Sequence, residues 1–139
     1  MTQRPVSLGQ ARVDETRLRQ GLIVLGAIQL VLGLFLAIAP GQFADTIAPY
    51  GEAEHHFLRD IATFYLAMGG VLLLAVERIS WRVPVLVLVT LQYALHTINH
   101  LIDIAGTDPG WLGPFNFLSL LFLTFVSGYL LSAAARRAR

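Results

Sequence analysis

The sequence predicts an all-α integral membrane protein, a four-helix bundle with both termini on the cytoplasmic side. Three observations predict it. Apolar residues make up 55% of the 139 residues and charged residues only 14%, whereas soluble domains carry about 25% charged residues. The apolar residues fall into four runs, each close to the roughly 20 residues that cross a bilayer. The arginines gather on one side of the resulting arrangement, which indicates its orientation.

The polar segment 1–19 is predicted to lie in the cytoplasm. Within it, residues 7–20 fit either a short helix at the membrane surface or a solvated tail. The first span is predicted for residues 21–39, a run longer than the 7–15 residues of a signal-peptide core. Pro40-Gly41 ends this span, because proline cannot continue a helix. Its Gly26, Gly33 and Ala37 share a face with Gln29, which suits close helix packing.

Residues 40–56 form a predicted loop that lies in the membrane interface on the outer side of the bilayer. The second span covers residues 56–76, and a tight connection leads to the third span, residues 83–103. After a loop rich in glycine and proline, the fourth span covers residues 115–134. The transmembrane domain as a whole is predicted for residues 20–135, followed by a basic tail at 136–139.

Orientation follows from the arginines, since cytoplasmic loops are enriched in positive charge. All ten basic residues are arginine, and only Arg59 falls on the outer side of the predicted spans. The others precede the first span, join the second to the third or follow the fourth: Arg4, Arg12, Arg17, Arg19, Arg78, Arg82, Arg136, Arg137 and Arg139. Arginine used without lysine indicates a bacterial genome of high GC content. We therefore expect a multi-pass protein of the bacterial inner membrane.

Polar side chains inside the spans mark the candidate site, because a polar group in hydrocarbon normally faces other helices or a cavity. At about 100° per residue, the polar residues of the third span share one arc. Since a short connection makes the second and third spans neighbours, their polar faces are predicted to converge in the outer half. The candidate ligand-binding or metal-binding residues are His56, Asp60, His96, His100 and Asp103, and the candidate lining residues are Gln92, Tyr93, Asn99 and Asn116.

Four interpretations of this cluster stay open. His96 and His100, four residues apart, present both imidazoles on one helix face and with a carboxylate suit zinc, iron or copper. His100 with His56 would suit a haem held between two helices. Without a metal, the pocket would bind a quinone, a lipid head group or a small polar substrate, or relay protons. In the fourth interpretation the polar groups only bond one another and hold the helices in register.

Three stretches resemble the DoxX-like family of small four-helix bacterial membrane proteins. They are GAIQLVLGLFLAIAPGQF (Gly26 to Phe43), RDIATFYLAMGGVLLL (Arg59 to Leu74) and LQYALHTINHLID (Leu91 to Asp103). The resemblance spans roughly residues 20–134 and implies a four-helix bundle. It also implies a link to subunits of quinone-linked oxidoreductases or to membrane assembly factors, and it assigns no catalytic residue.

The function predicted from these features is non-catalytic. The absence of cysteine excludes disulfides, iron–sulfur clusters and thiol nucleophiles, and the chain has no nucleotide-binding motif. We expect an accessory subunit or assembly factor of a membrane complex. The alternative is a redox-associated protein that binds a divalent metal or quinone in the outer pocket. A transporter is less favoured, since four helices are few for alternating access. Expected partners are the bilayer and a membrane protein or second copy, and no nucleic acid.

Overall fold

The computed structural model describes residues 8–50 and 54–138, with side chains from position 14 onward. Within these ranges the chain forms five α-helices and one 3-10 turn: α1 (Leu8–Ile38), α2 (Pro40–Thr46), α3 (His55–Glu77), the turn Ile79–Trp81, α4 (Arg82–Ile102) and α5 (Leu112–Arg137). Four segments are long and apolar enough to cross a membrane: one each in α1, α3 and α5, and one formed by the 3-10 turn together with α4. The prediction of an all-α fold with four helices long and apolar enough to span a membrane is therefore confirmed.

The helix bounds differ from the predicted spans mainly at the two ends of the chain. α3 and α4 each lie within one residue of the predicted bounds, whereas α5 extends three residues further at both ends and includes Arg136 and Arg137. α1 begins at Leu8 rather than near position 21 and is continuous with the first span. It continues because Leu18, Leu22 and Leu25 share one buried face, so residues 8–20 form neither a separate surface helix nor a tail.

The predicted loop 40–56 begins as a helix. Pro40 stands at the first position of α2, where a proline fits because its missing N–H would have no partner within the helix. The ring of Phe43 then packs edge-on against Phe35 of α1, with the ring centroids 5.5 Å apart. Residues 51–53 lie outside the described residues.

Helix packing is set by glycines on α1 and α3. A Cβ added at Gly69 would lie 2.7 Å from the Leu30 side chain and 3.0 Å from the carbonyl oxygen of Gly26. A Cβ at Gly33 would likewise lie 3.0 Å from Tyr65. The small-residue face predicted on the first span therefore forms the contact with α3, where small residues let two backbones approach closely.

The second helix pair is α4 with α5. It is joined, in the half of the bundle nearer α2, by a hydrogen bond between the hydroxyls of Thr97 and Thr124, 3.1 Å apart. Toward the other end, Leu86 and Val89 of α4 and Leu130 of α5 belong to the same buried apolar core as the leucines of α1. The bundle thus consists of two tightly packed pairs, α1 with α3 and α4 with α5.

An arginine clamp, formed by Arg82, Glu15 and Arg137, ties the helices together at the end opposite α2. The guanidinium of Arg82 is buried and donates to the carbonyl oxygens of Ala75 (3.1 Å) and Val76 (2.9 Å). It also pairs with the Glu15 carboxylate at 2.8 Å, which in turn pairs with Arg137. One arginine therefore satisfies the last carbonyls of α3 while linking α1, α4 and α5.

The first turn of α3 is capped by Glu54. Its carboxylate accepts hydrogen bonds from the backbone N–H groups of Phe57 (2.6 Å) and His56 (3.3 Å). The bond from Phe57 is the largest cause that holds the pKa of Glu54 below its usual value, followed in the same direction by the bond from His56. The ionised carboxylate therefore satisfies N–H groups that would otherwise lack a partner within the helix.

Candidate functional site

A chain of hydrogen bonds runs from the segment that follows α2 into the bundle through the two histidines of α4. The hydroxyl of Tyr50 lies 2.8 Å from Nδ1 of His100. The Nε2 atom of His100 lies 3.1 Å from Nε2 of His96. The i, i+4 spacing in the sequence produces this contact, because residues four apart lie one above the other on a helix. We call Tyr50, His100 and His96 the histidine chain.

The inner end of the histidine chain meets two further polar groups. Nδ1 of His96 lies 3.5 Å from the Tyr65 hydroxyl of α3 and 3.5 Å from the Gln92 amide nitrogen. Both distances are at the long limit for a hydrogen bond. The amide oxygen of Gln92 is buried without a hydrogen-bond partner in the described part of the chain. This end therefore keeps hydrogen-bonding capacity that no protein group fully uses.

The protons of the histidine chain have two consistent arrangements when both imidazoles are neutral. Because two Nε2 atoms face each other, one must carry a proton and the other must accept it. If His100 donates to His96, then Nδ1 of His100 accepts from Tyr50, and His96 carries its own proton on Nδ1. If His96 donates, every hydrogen bond in the chain reverses. The inner end of the chain can thus present either a donor or an acceptor.

A groove opens on the surface between α3 and α4 beside His96. Its volume is about 390 Å³, and its lining is mostly apolar: Ile61, Phe64, Tyr65, Met68, Leu88, Gln92 and His96. Phe64 and Leu88 are largely exposed, as expected of side chains that face hydrocarbon in a spanning helix. The groove therefore offers an apolar trough with polar groups at one end.

Of the other candidate ligands, His56 and Asp60 lie away from the histidine chain, whereas Asp103 lies near His100 but forms no hydrogen bond with it in the described part of the chain. His56 and Asp60 pair with each other at 3.6 Å on the surface of α3, with side chains 82% and 61% exposed. Asp103 follows the last residue of α4 and is exposed; its backbone N–H bonds to the carbonyl of Asn99 and its carbonyl accepts from Gly106. The predicted convergence of five residues in one pocket thus reduces to the pair His96 and His100.

A helical rotation explains this separation. Asp60 precedes Gly69 by nine residues, which at about 100° per residue places the two on opposite sides of α3. Because Gly69 faces α1, the face that carries His56 and Asp60 is turned to the surface. The neighbour that sets the rotation of α3 is therefore α1 rather than α4.

The metal and haem interpretations lose most of their proposed ligands in this arrangement. A tetrahedral zinc site takes four ligands, or three and a water, and the two imidazoles supply half of such a set. Across the described ranges, no three His, Asp or Glu side chains are grouped so as to hold one metal ion. His56 is on the exposed face of α3, so it does not form a pair with His100 across a haem.

The four candidate lining residues have different positions. Gln92 lies at the inner end of the histidine chain. Tyr93 is buried in the core, and its hydroxyl has no hydrogen-bond partner among the described residues. Asn99 is exposed in the last turn of α4. Asn116 donates from its side chain to the carbonyl of Ile47 at 2.8 Å and so ties α5 to the end of α2.

Sequence reasoning missed both tyrosines of the site. Tyr50 lies in a segment that looked like an interfacial loop, and nothing in its pattern indicates which helix it contacts. Tyr65 carries a usable signal, because it precedes Gly69 by four residues and so shares the inward side of α3. An aromatic hydroxyl on a glycine-containing packing face is therefore a candidate partner for histidines on a neighbouring helix.

Comparison with known proteins adds no relative. No family model, no curated protein and no solved structure matches the chain.

Proposed function

We propose that this protein binds a membrane-soluble molecule with a hydrogen-bonding head group in the groove between α3 and α4, with a quinone as the best-fitting class. The observation that carries the proposal is the position of His96, which lines the groove and also ends the histidine chain. A ligand of this class needs an apolar trough for its ring and tail, and donors or acceptors for its oxygens.

The polar end of the groove suits the two forms of a quinone. The amide of Gln92 and the hydroxyl of Tyr65 can donate to a carbonyl oxygen, while His96 can donate or accept according to the direction of the histidine chain. A quinone presents acceptors and a quinol presents donors, so an invertible chain fits both. Tyr50 extends the chain to the outer loop, where water is available for proton exchange.

The test is a titration of the purified full-length protein with a short-chain ubiquinone analogue, measured by isothermal titration calorimetry. Replacement of His96 by leucine (His96→Leu) removes one hydrogen-bonding group, and we expect the affinity to fall by roughly three- to tenfold. His56→Leu is the matched control, since it removes an imidazole from the exposed face of α3 and is expected to leave the affinity unchanged. Equal affinity in wild type and His96→Leu, or no saturable binding to wild type, would contradict the proposal.

A role as an accessory subunit or assembly factor is the second candidate, favoured by one face of α5. Five large side chains recur there at alternating steps of three and four residues and are 57–69% exposed: Phe115, Leu118, Phe122, Phe125 and Tyr129. This is the spacing with which one helix packs along another. This second role includes three further proposals. The protein is DoxX-like, it lies in the bacterial inner membrane, and both of its termini are cytoplasmic.

Crosslinking in native membranes tests this second role. A photoreactive amino acid at Phe122, in the middle of the α5 face, is expected to capture a specific protein. The same probe at Phe64, which lines the α3–α4 groove, is expected to capture none. Capture from both positions, or from neither, would contradict a partner on α5.

A further inference from the structure

A second cavity lies at the arginine-rich end of the bundle, between the two helices that carry the chain ends. Its volume is about 500 Å³, and it is lined by charged and apolar side chains: Asp14, Arg17, Leu18, Tyr129, Leu130, Ala133, Arg136 and Arg137. Three arginines and one aspartate give its mouth a net positive charge. The cavity is remote from the histidine chain and has no part in the function proposed above.

The helices α1 and α5 meet at the inner limit of this cavity. A Cβ added at Gly21 would lie 2.6 Å from the Leu130 methyl groups, so the two helices are in close contact there. One turn nearer the helix ends, Arg17 and Ala133 line the open space. The cavity thus lies on the helix-end side of this contact, where its lining changes from apolar to charged side chains.

The cations at the mouth differ in how they are engaged. Arg137 is paired with Glu15 in the arginine clamp, and Arg19 of α1, which does not line the cavity, is paired with Glu77 at 2.6 Å. Arg17 and Arg136 are exposed, and the described part of the chain gives neither of them an ion pair. Two guanidinium groups from different helices therefore flank one cavity with their charge available.

The apolar side of the cavity continues along the membrane surface of α5. Leu18 and Leu130 are buried at its base, while Tyr129 is 58% exposed at its edge. A tyrosine at this depth is typical of the interface between hydrocarbon and head groups. A ligand here would place an anionic group among the arginines and an apolar chain beside Tyr129.

We propose that this cavity binds the head group of an anionic phospholipid from the adjacent leaflet. Basic pockets between transmembrane helices suit phosphate-bearing head groups, and guanidinium binds phosphate in a bidentate manner. A free anion would use the charged mouth but would leave the apolar side uncovered, so the continuity of both surfaces favours the lipid.

The test measures lipid binding to the full-length protein in detergent by native mass spectrometry. Phosphatidylglycerol and phosphatidylcholine with the same acyl chains are titrated separately, and wild type is expected to prefer phosphatidylglycerol. Each arginine near an anionic head group contributes about fivefold, so the double variant Arg17→Gln/Arg136→Gln is expected to lose roughly thirtyfold. The double variant Arg59→Gln/Arg78→Gln, which has the same net charge, is expected to change binding less than threefold.

Several results would overturn this site. They are equal binding of the two lipids by wild type, an equal loss in the two double variants, or displacement of phosphatidylglycerol by millimolar inorganic phosphate alone. The third result would indicate a site for a free anion. Thermal unfolding of both double variants should match wild type, because Arg17 and Arg136 are exposed. If the double variant unfolds early, Arg136→Gln alone is expected to reduce the preference about fivefold.

Discussion

Replacement of Arg82 is the sharpest test of how this bundle is held together. Arg82→Met keeps a long, flexible side chain of similar reach but removes the guanidinium. The Arg82 side chain is 4% exposed, and its guanidinium donates to two backbone carbonyls and one carboxylate. The substitution therefore removes the side-chain donor of the Ala75 carbonyl and leaves the Val76 carbonyl with the longer bond from Arg19 (3.3 Å). It also removes one of the two arginines that pair with Glu15.

The size of the effect follows from these contacts. A hydrogen bond that involves a charged group contributes about 1.5–3 kcal/mol, and removal of one partner of a buried ion pair costs about 3–5 kcal/mol. Glu15 is partly exposed and still pairs with Arg137, so the cost of removing its pair with Arg82 lies at the low end of the range for buried ion pairs. We expect Arg82→Met to lower the free energy of unfolding by about 3–4 kcal/mol. Arg82→Lys should recover part of this loss, because one ammonium cannot reach all three acceptors.

The assay is equilibrium unfolding of the purified protein in mixed micelles with increasing sodium dodecyl sulfate. Helix content is monitored by circular dichroism. Arg78→Met is the matched control, since Arg78 lies four residues earlier and stacks over Trp81 at 5.0 Å without a buried partner. It should cost less than about 1 kcal/mol. If Arg82→Met is no more destabilising than Arg78→Met, the clamp does not stabilise the fold in the way inferred.

Two further predictions concern the face of α3 that packs on α1 and the cap at the start of α3. Gly69→Ala should destabilise the fold by about 1–3 kcal/mol through overpacking against α1, whereas Gly70→Ala, where an added Cβ meets nothing within 4 Å, should be neutral or slightly stabilising; equal effects would contradict the packing of α1 on α3. The lowered pKa of Glu54 means that its stabilising effect is present above its unfolded pKa and is lost as the pH falls through its folded pKa. The unfolding midpoints of wild type and Glu54→Gln should therefore converge between about pH 6 and about pH 3, and a constant difference would refute the cap.

The sequence was most informative about the helices and their packing faces. Spans of about 20 apolar residues must be helical in a bilayer, because every backbone polar group has to be satisfied within the segment. The glycines of the first span likewise indicated a packing surface, and Gly26 and Gly33 both contact α3. These properties depend on local composition and period, which a single sequence contains in full.

The candidate site was harder to predict because it depends on which helices are neighbours. The pairing of His96 with His100 needs only one helix and was found, whereas the position of His56 needs the rotation of α3, which Gly69 and α1 determine. Arg82 was interpreted from the sequence only as one of the arginines that indicate the orientation of the bundle. Its burial depends on Glu15, which is 67 residues away in the chain, and no local pattern contains that information.

The two ends of the bundle are stabilised differently, and this difference bears on function. At the arginine end, Arg82 holds carbonyls at distances close to 3 Å in a buried position. At the α2 end, the polar contact of α3 with α4 is the long approach of His96 to Tyr65 in the described part of the chain, and the histidine chain reaches a loop through Tyr50. We therefore expect local opening to cost less at this end. If a ligand occupies the groove as proposed, we expect α3 and α4 to separate there, while the arginine clamp holds the helices together at the opposite end.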